Sequence, residues 1–494
     1  MRWLVFLSTL VAIPALAQVE LAPQFADNMV IQRNQPIRVW GKAAPGEQLE
    51  LRFNGRTQTT TVAPDSCWQL VLRPMAANPV PQTLEIRSGN HRVQRTNILI
   101  GDVWLCSGQS NMEWAFSRDA FFEEEKSAAN QPLIRLYNTS FAGKYIYGTL
   151  YTDSVRQRLT PERFYEGQWE TCTEQSARPM SAVAYYFAKK ITSETGVPVG
   201  LINLAIGGAP IETFIDSAAL AGHPVFRQKL AGNWLENPSL PEWIRERGRQ
   251  NLGDQGNDHA YKPGYAFKSS IPWFSRLPIA GVLFYQGESN SLEAERVSEF
   301  GGLMQLMVKS LRDSWKNPSL PFYYAQLSSI DTSNYQAAYW PLFRDLQRRQ
   351  LDSIPYSGMA VTSDKGHPTD VHPRDKRTVG YRFAALALYH QYGKKKTVYS
   401  GPQLKSVTVK RNRIIARFRH TAGGLTTSDG QPLRELSFNG SDPVNAILKK
   451  KKIIIPYTEK PAYLYYGWAP YSKGNLVNDA GLPASTFSTK LSEL

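Results

Sequence analysis

A chain of 494 residues exceeds what one hydrophobic core serves, so two to four domains of about 100–200 residues are expected. With 42% hydrophobic and 20% charged residues, and with 12 Trp, 24 Tyr and 21 Phe, the composition is that of a folded protein and excludes a largely disordered one. The formal charge of +15 suggests acidic partners, but much of the excess lies in Lys394-Lys395-Lys396 and Lys449 to Lys452, short runs beside strand-like segments with no nucleic-acid-binding signature. A solvated surface is the first reading of these runs, and contact with anionic glycans or a membrane surface the second.

MRWLVFLSTLVAIPALAQ reads as a secretory signal. Arg2 is its charged start, Trp3 to Ile13 its apolar stretch and Ala15-Leu16-Ala17 its small-residue cleavage site, so a secreted or periplasmic mature chain beginning near Gln18 is expected. That apolar run is too short to span a bilayer, no other stretch of about 18 apolar residues occurs, and no integral membrane segment is expected. From residue 18 to 100 short alternating runs such as IQRNQPIRVWGK and TLEIRSGNHRVQRTNILI, broken by Gly, Pro and Asn, predict a small β-sandwich module.

From residue 101 to 398 the texture changes to strand–helix alternation. VWLC, VPVGLINLAIGG, IAGVLFYQGES, FYYAQLSS and MAVTSD read as buried strands; SAVAYYFAKKITSETG, FGGLMQLMVKSLRDSW and YWPLFRDLQRRQLDS read as helices. The alternation predicts an α/β domain with a parallel sheet and helices on both faces. Ligands bind beyond the carboxyl ends of such strands, so the polar turns after VWLC, INLAIGG, VLFYQGE and AVTSD should meet on one rim. Residues 237–262 are polar and read as a surface excursion. From 399 to 494 the pattern returns to β type, predicting a C-terminal β module. Three cysteines, Cys67, Cys106 and Cys172, are too few for a disulfide scaffold, Cys106 reads as a small buried hydrophobe, and no Cys/His cluster suggests a metal.

Ser110, in LCSGQSNMEW, follows a buried strand and opens a helix. Two readings compete there. Ser110-Asn111-Met112-Glu113 has the form of a capping box, and a Ser at a strand–turn–helix junction also presents its hydroxyl and its own N–H to a substrate carbonyl. Gly207-Gly208 ends another strand and allows a close backbone approach, and Gln286, in QGESN, offers an amide to the same oxygen. A serine nucleophile needs a base. Of seven histidines, His91 and His420 fall in β regions, His390 in an apolar helix, and His223 and His259 in surface-like connections; His367 and His372 remain, just after the last α/β strand. In Asp370-Val371-His372 an extended backbone puts the carboxylate and the imidazole on one face, leaving Nε2 free for Ser110.

GDVWLCSGQSNMEW, SAVAYYFA, LINLAIGGAPIE, KPGYAF, VLFYQGESN, PLFRDLQ, DVHPRDK and NLVNDAGLPASTF occur in order over nearly the whole chain beyond the leader. Together they resemble the sialate O-acetylesterase family of the SGNH/GDSL hydrolases. The resemblance implies a three-layer α/β/α domain flanked by β modules that removes O-acetyl groups from sugars, typically sialic acids, with Ser110 as nucleophile, His372 as base, Asp370 as its orienter, and Ser110, Gly208 and Gln286 around the oxyanion. No cofactor is called for. Gln109, Asn111, Glu212, Glu288 and Asn290, within these blocks, are candidate substrate contacts, and Arg344 is a candidate partner for a sugar carboxylate by its charge. The wider superfamily places Asp three residues before the His, where this chain has Thr369, so Asp364 or a backbone carbonyl stand beside Asp370 as orienters. Ala209 and Phe214 depart from the common Thr or Ser and Trp and are expected to alter substrate shape. Acetylated xylan or pectin fragments are the alternative substrates, and a catalytically silent carbohydrate-binding protein the alternative class.

Overall fold

The computed structural model describes residues 19–333 and 335–491, and the expected signal segment lies outside them. The first strands form two antiparallel-rich sheets. One contains Glu20–Leu21, Ile37–Lys42 and Cys67–Leu72. In the other, Gln48–Phe53 pairs with Arg56–Thr61 and with Asn78–Ser88, which pairs in turn with the strand His91–Gly108. Asn54-Gly55, both at positive φ, form the two-residue turn between the first pair, as an Asn-Gly sequence between alternating strands requires. Alternate residues of Cys67–Leu72 are buried and exposed, which is the period-2 pattern legible in the sequence.

His91–Gly108 runs straight across the expected boundary at residue 100 and becomes the centre of the next sheet. That sheet has the order Trp169–Cys172, Gln131–Asn138, Val199–Asn203, His91–Gly108, Gly281–Tyr285, Phe322–Ala325, Ser357–Ala360. All pairings are parallel except the antiparallel edge strand Trp169–Cys172. Val199–Asn203 and Gly281–Tyr285 are buried at every position, which is why they read as unbroken apolar runs. The helix Ala182–Thr195, capped by Ser181 and stopped by Gly196 at φ 68°, packs on Lys376–His390; Ala294–Ser314 packs on Trp340–Ser353.

Chain order in this sheet reverses at His91–Gly108, with later strands added on both sides. The crevice at that switch point is where ligands bind in open α/β sheets. The C-terminal strands, among them Gln403–Lys410, Arg413–Arg419, Lys452–Pro456 and Phe487–Lys490, enclose a separate core built on Ile414, Phe418, Ile453, Ile455, Leu464 and Phe487.

Residues 237–262 depart from the expected surface excursion. The helix Glu242–Leu252 lies within them and buries Ile244, Asn251 and Leu252. His259 is 1% exposed, its ring stacked beside Trp234 and Tyr151. Local polarity suggested solvent throughout, and residues 253–257 are exposed, but the inner face of the helix and His259 are buried. All three cysteines are free thiols, and Cys106 is fully buried.

Candidate active site

Ser110 follows the central strand, and its turn depends on a glycine. Gly108 has φ 130°, and a Cβ there would lie 2.1 Å from Tyr285 O. This close approach lets Gln109 N–H donate to Tyr285 O at 2.9 Å while Gly108 O accepts Ile206 N–H at 2.9 Å, so the three strand ends are sewn together below Ser110. The turn after Val199–Asn203 brings in Gly207 and Gly208. Gly208, at φ 72°, leaves room for the Tyr261 hydroxyl, which donates to Gly207 O at 2.9 Å.

Neither half of the capping box forms. The Ser110 hydroxyl lies 2.8 Å from His372 Nε2. The Glu113 carboxylate instead takes the Gly207 N–H and sits 3.2 Å from Lys144 Nζ. Ser110 and His372, separated by 262 positions, are the pair that a serine hydrolase requires.

His372 is held from several sides. Its backbone N–H donates to Asp370 Oδ1 at 2.8 Å, and its Nδ1 lies 3.5 Å from the same oxygen. Its ring stacks on Trp114 at 5.3 Å between centroids, and the Arg118 guanidinium covers that indole at 3.9 Å. Burial, then the Lys376 charge, pull the imidazole down to about 4 against the opposing pull of Asp370, which leaves it neutral and basic near neutral pH. Asp364 is bound by Arg382 at 2.6 and 2.7 Å, leaving Asp370 as the carboxylate beside His372. His367 accepts the N–H groups of Thr369 and Asp370 and shapes the loop.

The expected substrate contacts lie inside the protein. Gln109, Asn111, Glu212, Glu288, Asn290 and Arg344 are each no more than 3% exposed and bonded internally. Gln109 Oε1 accepts the N–H groups of Gly287 and Ser289, fixing the QGESN turn to the serine turn. Glu212 receives Arg296 at 2.7 and 3.0 Å and lies 3.4 Å from Lys229; burial alone would raise its pKa, but these two cations outweigh it and hold the carboxyl down to about 2. Asn290 donates to Glu212 Oε2 and, through Oδ1, accepts Ile211 N–H and Gln286 Nε2. Arg344 donates to the carbonyls of Gly467, Ala469 and Pro470 and to Ser329 Oγ, so its charge ties the C-terminal strands down instead of meeting a sugar carboxylate. Ala209 and Phe214, expected to alter substrate shape, are buried as well.

Gln286 is also buried. One amide hydrogen is committed to Asn290 Oδ1 at 2.6 Å, and Nε2 makes only a long 3.4 Å contact with Ala209 O. The sequence reading missed Trp114, Arg118, Lys144, Tyr145, Tyr147 and Lys376. Tyr145 and Tyr147 are 58% and 49% exposed; Lys144 lies over the first ring and Arg247 over the second. The Tyr147 hydroxyl is 3.0 Å from where a Gly207 side chain would begin. Exposed aromatics interleaved with cations, as in KYIY, were the one signal that could have found this rim.

Known proteins resemble this chain. Residues 266–388 match the family described as SASA, carbohydrate esterase, sialic acid-specific acetylesterase. The sialate O-acetylesterase of Mus musculus is 26% identical over 432 residues, covering 78% of this chain and 75% of that protein. The Homo sapiens sialate O-acetylesterase is 26% identical over 412 residues, covering 76% and 72%. A crystal structure of a carbohydrate acetylesterase from Xanthomonas citri superposes with a TM-score of 0.78 at 27% identity, covering 95% of this chain and 99% of that one. The chain is a carboxylic ester hydrolase. Its similarity is to the sialate O-acetylesterase family.

Proposed function

We propose that this protein removes O-acetyl groups from sugars by acyl transfer through Ser110, on a three-layer α/β/α SGNH-type domain flanked by β modules. The 2.8 Å contact between Ser110 Oγ and His372 Nε2 at the carboxyl end of the central strand carries the reading. His372 takes the hydroxyl proton as Oγ attacks the acetyl carbonyl, which requires the tautomer protonated at Nδ1 that Asp370 favours. The N–H groups of Ser110 and Gly208 receive the oxyanion, and Gln286 joins them by turning the hydrogen it holds only loosely against Ala209 O. His372 then protonates the departing sugar hydroxyl, and water repeats the sequence on the acetyl-enzyme.

O-acetylated sialic acids are the substrate class named for the curated relatives, and with Arg344 engaged inside the protein, exposed Arg118 beside Trp114 is a cation available to an anionic sugar. A second reading, acetylated plant polysaccharide fragments, is favoured by the exposed Tyr145 and Tyr147, whose rings suit stacking on neutral pyranoses, and by the near full-length likeness to a carbohydrate acetylesterase. Export through the residue 1–17 leader belongs to the same proposal; among the described residues no helix is long and apolar enough to cross a membrane.

The test is acetate release from 9-O-acetylated sialic acid and, in parallel, from acetylated xylan, by the mature protein and by Ser110→Ala. Release from the sialic acid that vanishes in the variant supports the first substrate; release from xylan alone moves the protein to the second. Activity that survives in Ser110→Ala overturns the mechanism.

A further inference from the structure

Lys376, the first residue of the helix Lys376–His390, is 1% exposed. A buried ammonium is costly, and a methionine would fill the same space without that cost. Its Nζ donates to Asn111 Oδ1, the residue after Ser110, rather than to a carboxylate. The other end of the Asn111 amide donates to Glu288 Oε1 and, at 3.0 Å, to Val371 O, the residue before His372. With an ammonium donor at its oxygen and acceptor oxygens at its nitrogen, the Asn111 amide has one favourable orientation, and in it the serine turn, the QGESN turn and the histidine loop are joined at one side chain. Lys376 Nζ also lies 5.2 Å from the centre of the Trp114 ring on which His372 stacks.

We infer that Lys376 is a positioning residue for the esterase reaction: through Asn111 it holds Ser110 and His372 in register, and its buried charge keeps the imidazole in the neutral form that accepts the proton. The charged groups facing His372 are Lys376, Asp370 and Arg118; those facing Lys376 are Glu288, Asp119, Asp370 and Asp375. Burial pulls Lys376 itself down to about 7 while the four carboxylates oppose the fall, so it is charged throughout the acidic range in which His372 titrates. A like charge nearby disfavours imidazolium, so its removal should make His372 easier to protonate.

Three variants separate charge from hydrogen bonding. Lys376→Arg keeps both, Lys376→Gln keeps a donor for Asn111 without the charge, and Lys376→Met loses both. The expected result is that the acid limb of kcat/KM moves up by about one pH unit in Gln and Met and stays in place in Arg. The plateau should fall about 10-fold further in Met than in Gln, since truncation leaves Asn111 Oδ1 unpaired. If Met does not fold, as judged by circular dichroism, Gln decides. An unmoved acid limb in the folded variants, at any plateau, overturns the inference, because a purely structural lysine would change the plateau alone. The inference rests on Ser110 and His372 being the reacting pair. Activity in Ser110→Ala would refute that pairing whatever Lys376 does, whereas an inactive Ser110→Ala with an unmoved limb refutes only the role of Lys376.

Discussion

Replacing Asp370 by alanine should damage the enzyme far less than the loss of a buried triad carboxylate does. Asp370 Oδ1 stands 3.5 Å from His372 Nδ1, and the two side chains are 42% and 30% exposed. At that separation two unit charges attract by about 1 kcal/mol in water-like surroundings and about 5 kcal/mol at an effective dielectric of about 20. Exposure of both partners puts the interaction in the lower part of that range, about 1–3 kcal/mol, or roughly 5- to 150-fold in kcat/KM. A fully buried triad Asp is worth about 10⁴-fold. The assay is kcat/KM on an aryl acetate and on an O-acetylated sugar across pH. Since Asp370 opposes the burial and the Lys376 charge that depress His372, its removal should also move the acid limb down, opposite to the shift expected on neutralising Lys376. A loss of about 10⁴-fold or more would refute this weighting of solvent screening. No loss at all would mean that the imidazole is oriented without this carboxylate.

Three further outcomes follow from buried titratable and charged groups. Glu212→Gln should cost about 3–5 kcal/mol of stability by leaving Arg296 and Lys229 short of their shared anion, and should lower activity by freeing Asn290 and hence Gln286; denaturant titration with kinetics checks both. Because the native carboxyl is held down to about 2 from 4.5, its contribution is present above about pH 4.5 and is lost as pH falls toward 2. Arg344→Ala should lower Tm while leaving the ratio of kcat/KM between anionic and neutral acetylated sugars unchanged, and a changed ratio would reinstate it as a substrate contact. His259, pulled down to about 3 chiefly by burial, binds fewer protons than the unfolded chain below pH 6.5, so stability should decline from pH 6.5 toward 3 at up to about 1.4 kcal/mol per unit. His259→Gln should flatten that part of the Tm profile, and an unchanged slope would count against it.

Local signals made the proposed reacting pair legible. Ser110 stands at a junction where a continuous apolar strand gives way to Gly and polar residues, and the Asp-Val-His spacing alone puts Asp370 beside His372. The buried strands Val199–Asn203 and Gly281–Tyr285 were readable for the same reason, since both of their faces are covered. Gln131–Asn138 escaped notice because it lies next to the sheet edge and fully buries only Ile134, Arg135 and Leu136. The polar shell was misread because a charged residue looks outward until its partner is known. Arg296 is 84 positions from Glu212, and the carbonyls that bind Arg344 are 123 to 126 positions away. Lys376 had a clue in its spacing, four residues after His372 at a helix start, but nothing local reveals that it reaches Asn111.

The proposed mechanism passes an acetyl group through Ser110. It is tested most directly by mixing the mature protein with an O-acetylated substrate, quenching in acid within the first turnovers, and mapping acetylation by peptide mass spectrometry. Acetate is expected on the peptide carrying Ser110 in the wild type, with neither that adduct nor acetate release in Ser110→Ala. Acetate released at full rate by Ser110→Ala, or a stable acetyl adduct on another side chain that turns over at the catalytic rate, would contradict it.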